Sequence, residues 1–324
     1  MAEWVYEAGI GEARAALIED GRIIEARLER ESEGPRVGAV LGARLVEAGR
    51  LLLDAPGEPA ATIGGVPPGA SIGARLTVEI TRMALRERGR DKPARARLAE
   101  AGTPLSDGPD LRARIEAAGL PVTEAQARGA DLFEEAGWSE LIDHVRTGHW
   151  PFASGALWVD ATPAMLLIDI DGEGDGFALA KAGAAAAAHL IRCCDIGGSI
   201  GIDFPSLPGR AERQAIDALI DALLPQPFER TATNGFGFLQ IVRRRERPSL
   251  VEQVRFGAAA TDAAALLRQA ERAVGHGPLQ LTARPAVADH IRTHPGWIAE
   301  LERRTGRPVA IAVDAAMRGA GHAQ

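Results

Sequence analysis

The stretch from Met165 to Asp203 constrains the fold most. "AMLLIDI" is a short apolar run ending on acids. "ALAKAGAAAAAHLIRCC" is Ala-rich and strongly helix-favouring, and "GGSIGIDF" is a second apolar run ending on an acid. The pattern continues downstream. "GRAERQAIDALIDALL" sets Ile216, Leu219, Ile220 and Leu223 on one helical face, and "FGFLQIVRRRERP" reads as a strand stopped at Pro248. Strands and helices alternating in this way predict an α/β layer with carboxylates at the strand ends.

If "LLID" (166–169) and "IGID" (200–203) lie side by side and parallel, Asp169 and Asp203 emerge at the same edge of the sheet. Two carboxylates there suit a hard cation such as Mg2+, which keeps most of its waters and takes one or two protein carboxylates. Such an ion activates water and neutralises charge on a phosphodiester. The alternative is that strand-end Asp residues merely cap the following helix or turn. A third spelling, Asp169-x-Asp171-x-Glu173-Gly174, matches the opening of an EF-hand calcium loop. Its twelfth position, where a bidentate Glu is required, is Ala180, and a strand rather than a helix precedes it.

The N-terminal half has a different texture. "ARAALIEDGRIIEARLE", from Ala13, predicts a hairpin turning at Asp20-Gly21. From Val37 to about Ala99, short Val/Leu/Ile runs between Gly/Pro turns predict a small β-barrel or sandwich. No Phe, Trp or Tyr occurs between Tyr6 and Phe133, so this half must build its core from aliphatic residues. Residues 100 to 135 read as loops with one or two short helices, for example "DLRARIEAAG". The tail from "LQLTARP" to "VAIAVD" reads β-α-α-β.

Composition excludes several classes. The chain has 324 residues, 46% hydrophobic and 25% charged, as in an ordinary soluble globular protein of two or three domains. A formal net charge of −7 argues against non-specific coating of nucleic acid but leaves room for a local basic groove. The only cysteines are the neighbours Cys193 and Cys194, too few for a disulfide framework or a four-cysteine zinc site. No signal peptide and no membrane-spanning apolar run is evident, so a cytoplasmic location is expected. His144, His149 and His189 lack metal-ligand spacing, and no P-loop occurs.

Two basic runs are candidates for phosphate contact. Between Arg82 and Arg97 lie seven basic residues, including Arg86, Arg88, Arg90 and Lys92, against two acids. The second run is Arg243, Arg244, Arg245 and Arg247, in which strand alternation puts Arg243 and Arg245 on one face. For both runs the plain alternative is a solvated surface.

"SGALWVDATPAMLLIDID", "CDIGGSIGIDFPSL" and "NGFGFLQIVRRRERPSL" together resemble the catalytic core of the bacterial ribonuclease E/G family. "LIEDGRIIEARLERE" is similar to that family's N-terminal hairpin and "RRTGRPVAIAVDAAM" to its small C-terminal domain. The resemblance implies a multidomain α+β and α/β chain. Residues 1–36 would be the first strands of an RNase H-like subdomain and 37–100 an inserted S1-like (OB) barrel. Residues 101–160 would complete the RNase H-like region with a shortened 5'-sensor segment, 161–257 would be a DNase I-like catalytic subdomain, and 258–324 the small C-terminal domain.

It further implies a single-strand-preferring endoribonuclease of RNA processing and decay that leaves 5'-phosphate and 3'-hydroxyl ends. Asp169 and Asp203 would hold Mg2+, with Mn2+ as the alternative ion, and Asp171 would be the third catalytic residue, standing where the family usually has Asn. Arg243 and Arg245 would lie near the active site. The chain departs from the family elsewhere. The cysteine pair that shares zinc between subunits is missing, so no zinc is expected and any homodimer would form without it. Gly235 replaces the usual Arg before Phe-Gly, and the Ala-rich helix lacks the polar residues common there. The barrel has no aromatics for base stacking, which predicts low stacking affinity on that face. These losses keep open a rival reading, a family member that binds RNA or a protein without cutting.

Overall fold

A computed structural model describes residues 1–127 and 129–324, with the backbone alone at Arg90. Strands β1 (Glu3–Ala8), β2 (Glu12–Glu19) and β3 (Arg22–Arg30) form an antiparallel meander. Its second turn is the two-residue Asp20-Gly21, with φ of 51° and 74°, the left-handed pair that matches strand twist in a tight hairpin.

The chain then closes a five-stranded barrel from β4 (Val40–Glu47), β5 (Arg50–Leu53), β6 (Ala60–Thr62) and β7 (Arg75–Arg82). A short hairpin, β8 (Leu85–Glu87) and β9 (Arg90–Lys92), leaves the barrel before β10 (Ala94–Leu98) returns. Strand β10 closes it by pairing parallel to β6 and antiparallel to β7. The barrel core is Ala, Val, Leu and Ile throughout, as the aromatic-free sequence requires. Helix α1 (Leu111–Glu116) and β11 (Val122–Glu124) follow, and β11 adds to β1 in parallel. The sequence over 100–135 predicts loop and short helices, and β11 departs from that: its three residues pair on one side only and carry no alternation of their own.

Short helix α2 (Leu132–Glu135) and α3 (Trp138–Thr147) lead into β12 (His149–Phe152), β13 (Gly155–Ala161) and β14 (Leu166–Gly172). Helix α4 (Gly176–Cys193), β15 (Gly198–Asp203), α5 (Arg210–Leu223), β16 (Glu229–Arg230) and β17 (Phe238–Arg243) complete a six-stranded sheet of order β12-β13-β14-β15-β17-β16. Only β14 and β15 are parallel, joined by α4. One face of the sheet is closed: Ile168, Ile170, Ile200, Ile202, Leu239 and Ile241 are buried in one cluster with Leu179, Ala184 and Ala187 of α4 and Ile216 and Ile220 of α5. The Ala-rich sequence of α4 lets the helix sit close. At Gly183 even one added carbon would meet Ile170 at 2.5 Å. Cys193 and Cys194 are buried in this cluster.

Helices α6 (Leu250–Phe256) and α7 (Ala258–Arg272) precede β18 (Leu279–Ala283), α8 (Pro285–Arg292), α9 (Pro295–Thr305), β19 (Val309–Val313) and β20 (His322–Ala323). Strands β18 and β19 are parallel neighbours, as the β-α-α-β reading requires, and β20 adds on the other side. A separate apolar cluster, including Leu267, Leu281, Ile291 and Leu301, fills this unit.

Buried charge ties the parts together. Glu12 accepts from Arg30 Nε and from Arg268 Nη1, each at 2.7 Å, and joins the first sheet to α7. Burial alone would raise the Glu12 carboxyl, but the two guanidiniums outweigh it and hold its pKa below the usual range. The whole is a mixed α+β chain with a closed five-stranded barrel compatible with an OB-like fold. Among the described residues no helix is long and apolar enough to cross a membrane.

Candidate functional site

The site grows from the pleat of β14. Leu166, Ile168 and Ile170 point into the core, so Leu167, Asp169 and Asp171 must stand on the other face, which is open to solvent. Strand β15 lies beside it with Asp169 and Asp203 as direct register partners. Antiparallel β17 places Phe238 opposite Asp203, and β13 places Trp158 opposite Asp169 and Ala156 opposite Asp171. Three carboxylates therefore share the open face of two adjacent strands.

Their electrostatics follow from that crowding. The Asp169 carboxyl is raised above its ordinary value by partial burial first, then by Asp203 and by Asp171; the Ile170 amide only partly opposes this. None of Asp169, Asp171 and Asp203 forms an ion pair among the described residues, in a chain where most buried acids do. Helix capping does not explain them either. The cap of α4 is Asp175, whose Oδ2 accepts from the Ala178 amide at 2.8 Å, and the N-cap of α5 is Gly209. The EF-hand spelling forms no loop, because Asp169 and Asp171 lie within β14 and Ala180 is buried in α4.

Among the described residues no three or more His, Cys, Asp or Glu side chains are arranged to hold a metal ion between them. Asp169 and Asp203 offer hard oxygen donors from one side only. That donor set suits an ion that retains its waters, as Mg2+ does, and does not suit the closed Cys/His cage of structural zinc.

Aromatic side chains border the acids. Trp158 is 50% exposed on the open face, and His149 of β12, its register partner, packs against it with ring centroids 4.6 Å apart. On the other flank the Phe238 ring lies across Gly201, where an added Cβ would be 2.6 Å from the ring. Asn234 Oδ1 accepts from the amides of Phe236 and Phe238, at 2.9 and 3.1 Å, and shapes a turn that leaves Phe236 89% exposed. Beside Asp169 a cleft of about 480 Å³ is lined by Arg146, Trp158, Asp160, Leu167 and Arg255. Sequence reasoning missed this rim. The period-2 pattern in "ALWVDA" was the available signal, since it sets Trp158 opposite in phase to the apolar Leu157 and Val159.

The basic candidates fare unevenly. Arg243 shares the phase of Leu239 and Ile241, so it points to the face away from the acids, where its Nη1 donates to the Ile196 carbonyl at 3.0 Å. Burial lowers its pKa. The strand thus borders the acids, as the resemblance implies, while Arg243 itself turns to the opposite face. Arg245 lies beyond β17, outside strand alternation, and straps the barrel hairpin to α6 by donating to Glu87 at 3.0 Å and to Glu252. Lys92 pairs with the same Glu87 at 2.6 Å. Arg86 and Arg88 are exposed and form no ion pair among the described residues. The Arg90 side chain lies outside the described residues. Arg88 and Lys92 border a small cleft with residues 161–166 and Ser199, so the hairpin abuts the segments leading into β14 and β15.

A larger cavity, about 560 Å³, lies between β2, α3 and α7. Several of its charges pair with one another or with neighbours: Arg14 with Glu7, Arg268 with Glu12 and Arg272 with Asp131. A scan against protein-family models matches none of them, and a search of curated proteins finds no match.

Proposed function

We propose that this chain is a reduced ribonuclease E/G-type endoribonuclease that hydrolyses single-stranded RNA with Mg2+ held by Asp169 and Asp203. The observation that carries the reading is the in-register pair of carboxylates on adjacent parallel strands, facing solvent and without a cationic partner among the described residues. In this reading the first sheet belongs to an RNase H-like part, the six-stranded sheet is DNase I-like, and the barrel is an S1-like insertion. The family's motifs, quoted above, support that division.

When bound, Mg2+ supplies charge neutralisation at the phosphodiester and a nucleophilic water at neutral pH. The chain's own groups do the rest. Asp169 and Asp203 would hold the ion, and a bound cation would offset the repulsion that helps raise Asp169. Asp171 retains the acceptor of the family's usual Asn but loses its donor, so it orients a water or metal shell rather than donating to a phosphate oxygen. Arg86 and Arg88, exposed on the hairpin and without an ion pair among the described residues, are cations available to RNA backbone. Arg243, Arg245 and Lys92 already have partners. The products carry 5'-phosphate and 3'-hydroxyl ends.

The rival, a module that binds RNA or a protein without cutting, draws on the exposed aromatics Trp158 and Phe236. Incubation of the full chain with end-labelled unstructured RNA separates the two. Cleavage that requires Mg2+ or Mn2+, stops with chelator and yields 5'-phosphorylated fragments supports the nuclease. Chelator-independent binding with no cleavage under either ion supports the rival.

A further inference from the structure

The cleft beside Asp169 has a feature that metal binding does not use. Trp158 stands directly opposite Asp169 across β13 and β14, half exposed, with its orientation held by His149 on the far side. Four other tryptophans are present in the chain: Trp4, Trp138 and Trp297 are buried, and Trp150 is partly so. A large indole left exposed on a sheet face departs from the ordinary placement of tryptophan.

Two guanidiniums, Arg146 and Arg255, line the cleft together with the carboxylates of Asp160 and Asp169. Arg255 donates from Nε to the Val145 carbonyl at 2.8 Å and from Nη1 to the Val159 carbonyl at 2.9 Å, so it closes the end of α3 and forms no ion pair among the described residues. Gly148, at φ 77°, makes this approach possible, since a Cβ there would lie 2.3 Å from Arg255 Nη2. Arg146 completes the wall while paired with Asp262 at 2.6 Å.

We infer that Trp158 is a nucleobase-stacking platform, which seats the base of a nucleotide next to the scissile phosphate and so positions the RNA strand over Asp169 and Asp203. This rests on the nuclease reading for the identity of the strand, but the binding step is independent of hydrolysis. The occupant follows from the shape and charge of the cleft. A flat indole face accepts a neutral planar ring, and the guanidinium side of the cleft tolerates the attached phosphate. Directly opposed cross-strand residues have Cβ atoms about 5 Å apart, so a base on Trp158 leaves its backbone within one nucleotide of the carboxylates. A peptide adding to this sheet would instead seek backbone pairing at the β12 or β16 edge, not the middle of a face. The aliphatic barrel offers no competing stack, so in this chain the stacking function lies on the catalytic sheet itself.

The test is equilibrium binding of a fluorescein-labelled single-stranded RNA twelve-mer in EDTA, so that nothing is cut, with the full chain and with Trp158→Ala and Trp158→Phe. The twelve-mer is also scanned with an abasic nucleotide at each position. Expected is a loss of about 5- to 100-fold for Trp158→Ala, the usual range for one stacked base, with Trp158→Phe retaining most of the affinity. One abasic position should reproduce that loss in the wild type and add nothing in Trp158→Ala. Unchanged affinity in Trp158→Ala, or an abasic scan with no sensitive position, overturns the platform and leaves the face to a protein partner. The Trp158-dependent pattern without cleavage under Mg2+ upholds the platform and removes the nuclease reading. Failure of the wild type to bind any RNA overturns both.

Discussion

Gly183 is where α4 meets the strand that carries the acids, and its replacement by alanine sets two effects of known size against each other. In an exposed helix interior, Gly→Ala stabilises by about 1 kcal/mol through backbone entropy. At Gly183 the new Cβ would lie 2.5 Å from Ile170 Cγ2 and 2.8 Å from its Cδ1. Carbon–carbon contacts are comfortable only from about 3.5 Å, so helix and strand must part by roughly 1 Å. Ile170 is 5% exposed and packed on every side, and overpacking of this kind costs about 1–3 kcal/mol. Overpacking wins: Gly183→Ala should destabilise by about 0–2 kcal/mol, read as a lower urea midpoint at unchanged slope. Because Ile170 lies between Asp169 and Asp171, the same shift should also lower the cleavage rate. In an Ile170→Ala background the clash is gone and Gly183→Ala should become stabilising. A stabilisation of about 1 kcal/mol in the wild-type background would refute the close seating of α4 on β14.

Arg245→Ala removes the donor shared by Glu87 and Glu252. Lys92 still serves Glu87, so the loss should be about 1–3 kcal/mol by thermal or urea unfolding, below the usual penalty for orphaning a buried charge. Asp171→Asn removes one of the charges that raise Asp169, so the acid limb of the cleavage pH profile should move to lower pH; an unmoved limb would detach Asp171 from the site. A carboxyl whose folded pKa is raised binds protons more readily in the native state, and its ionised form opposes folding above that pKa. Asp169→Asn should therefore raise the melting temperature slightly at pH 7, with no gain near pH 3, while abolishing cleavage; a fall at pH 7 would contradict the unpartnered-charge description.

Much of the candidate site was legible because strand alternation and chain order are local. "LLID", an Ala-rich helix and "IGID" are enough to bring Asp169 and Asp203 together once the two strands pair in parallel, and the β14–β15 register does so. Alternation was equally legible at Arg243, but which face it takes depends on Leu239 and Ile241, in phase with it, packing into the core. Trp158 was hidden for a similar reason: its significance depends on β12 and β14 flanking it, and partner strands are not written into a single strand's sequence. Arg245 was illegible altogether, since its partners Glu87 and Glu252 come from a barrel hairpin and a helix whose juxtaposition only the tertiary fold supplies. The barrel was readable as aliphatic and closed by turns, yet its closure through β10 pairing with both β6 and β7 was not.

The central claim is that Asp169 and Asp203 act as one carboxylate pair in metal-dependent hydrolysis. Its most direct measurement is the single-turnover cleavage rate of a labelled unstructured RNA in Mg2+, for the wild type, Asp169→Asn, Asp203→Asn and the double variant. The account predicts that each single variant loses essentially all cleavage and that the double variant loses no more, as expected of residues acting as a unit. Full activity in either single variant would contradict it.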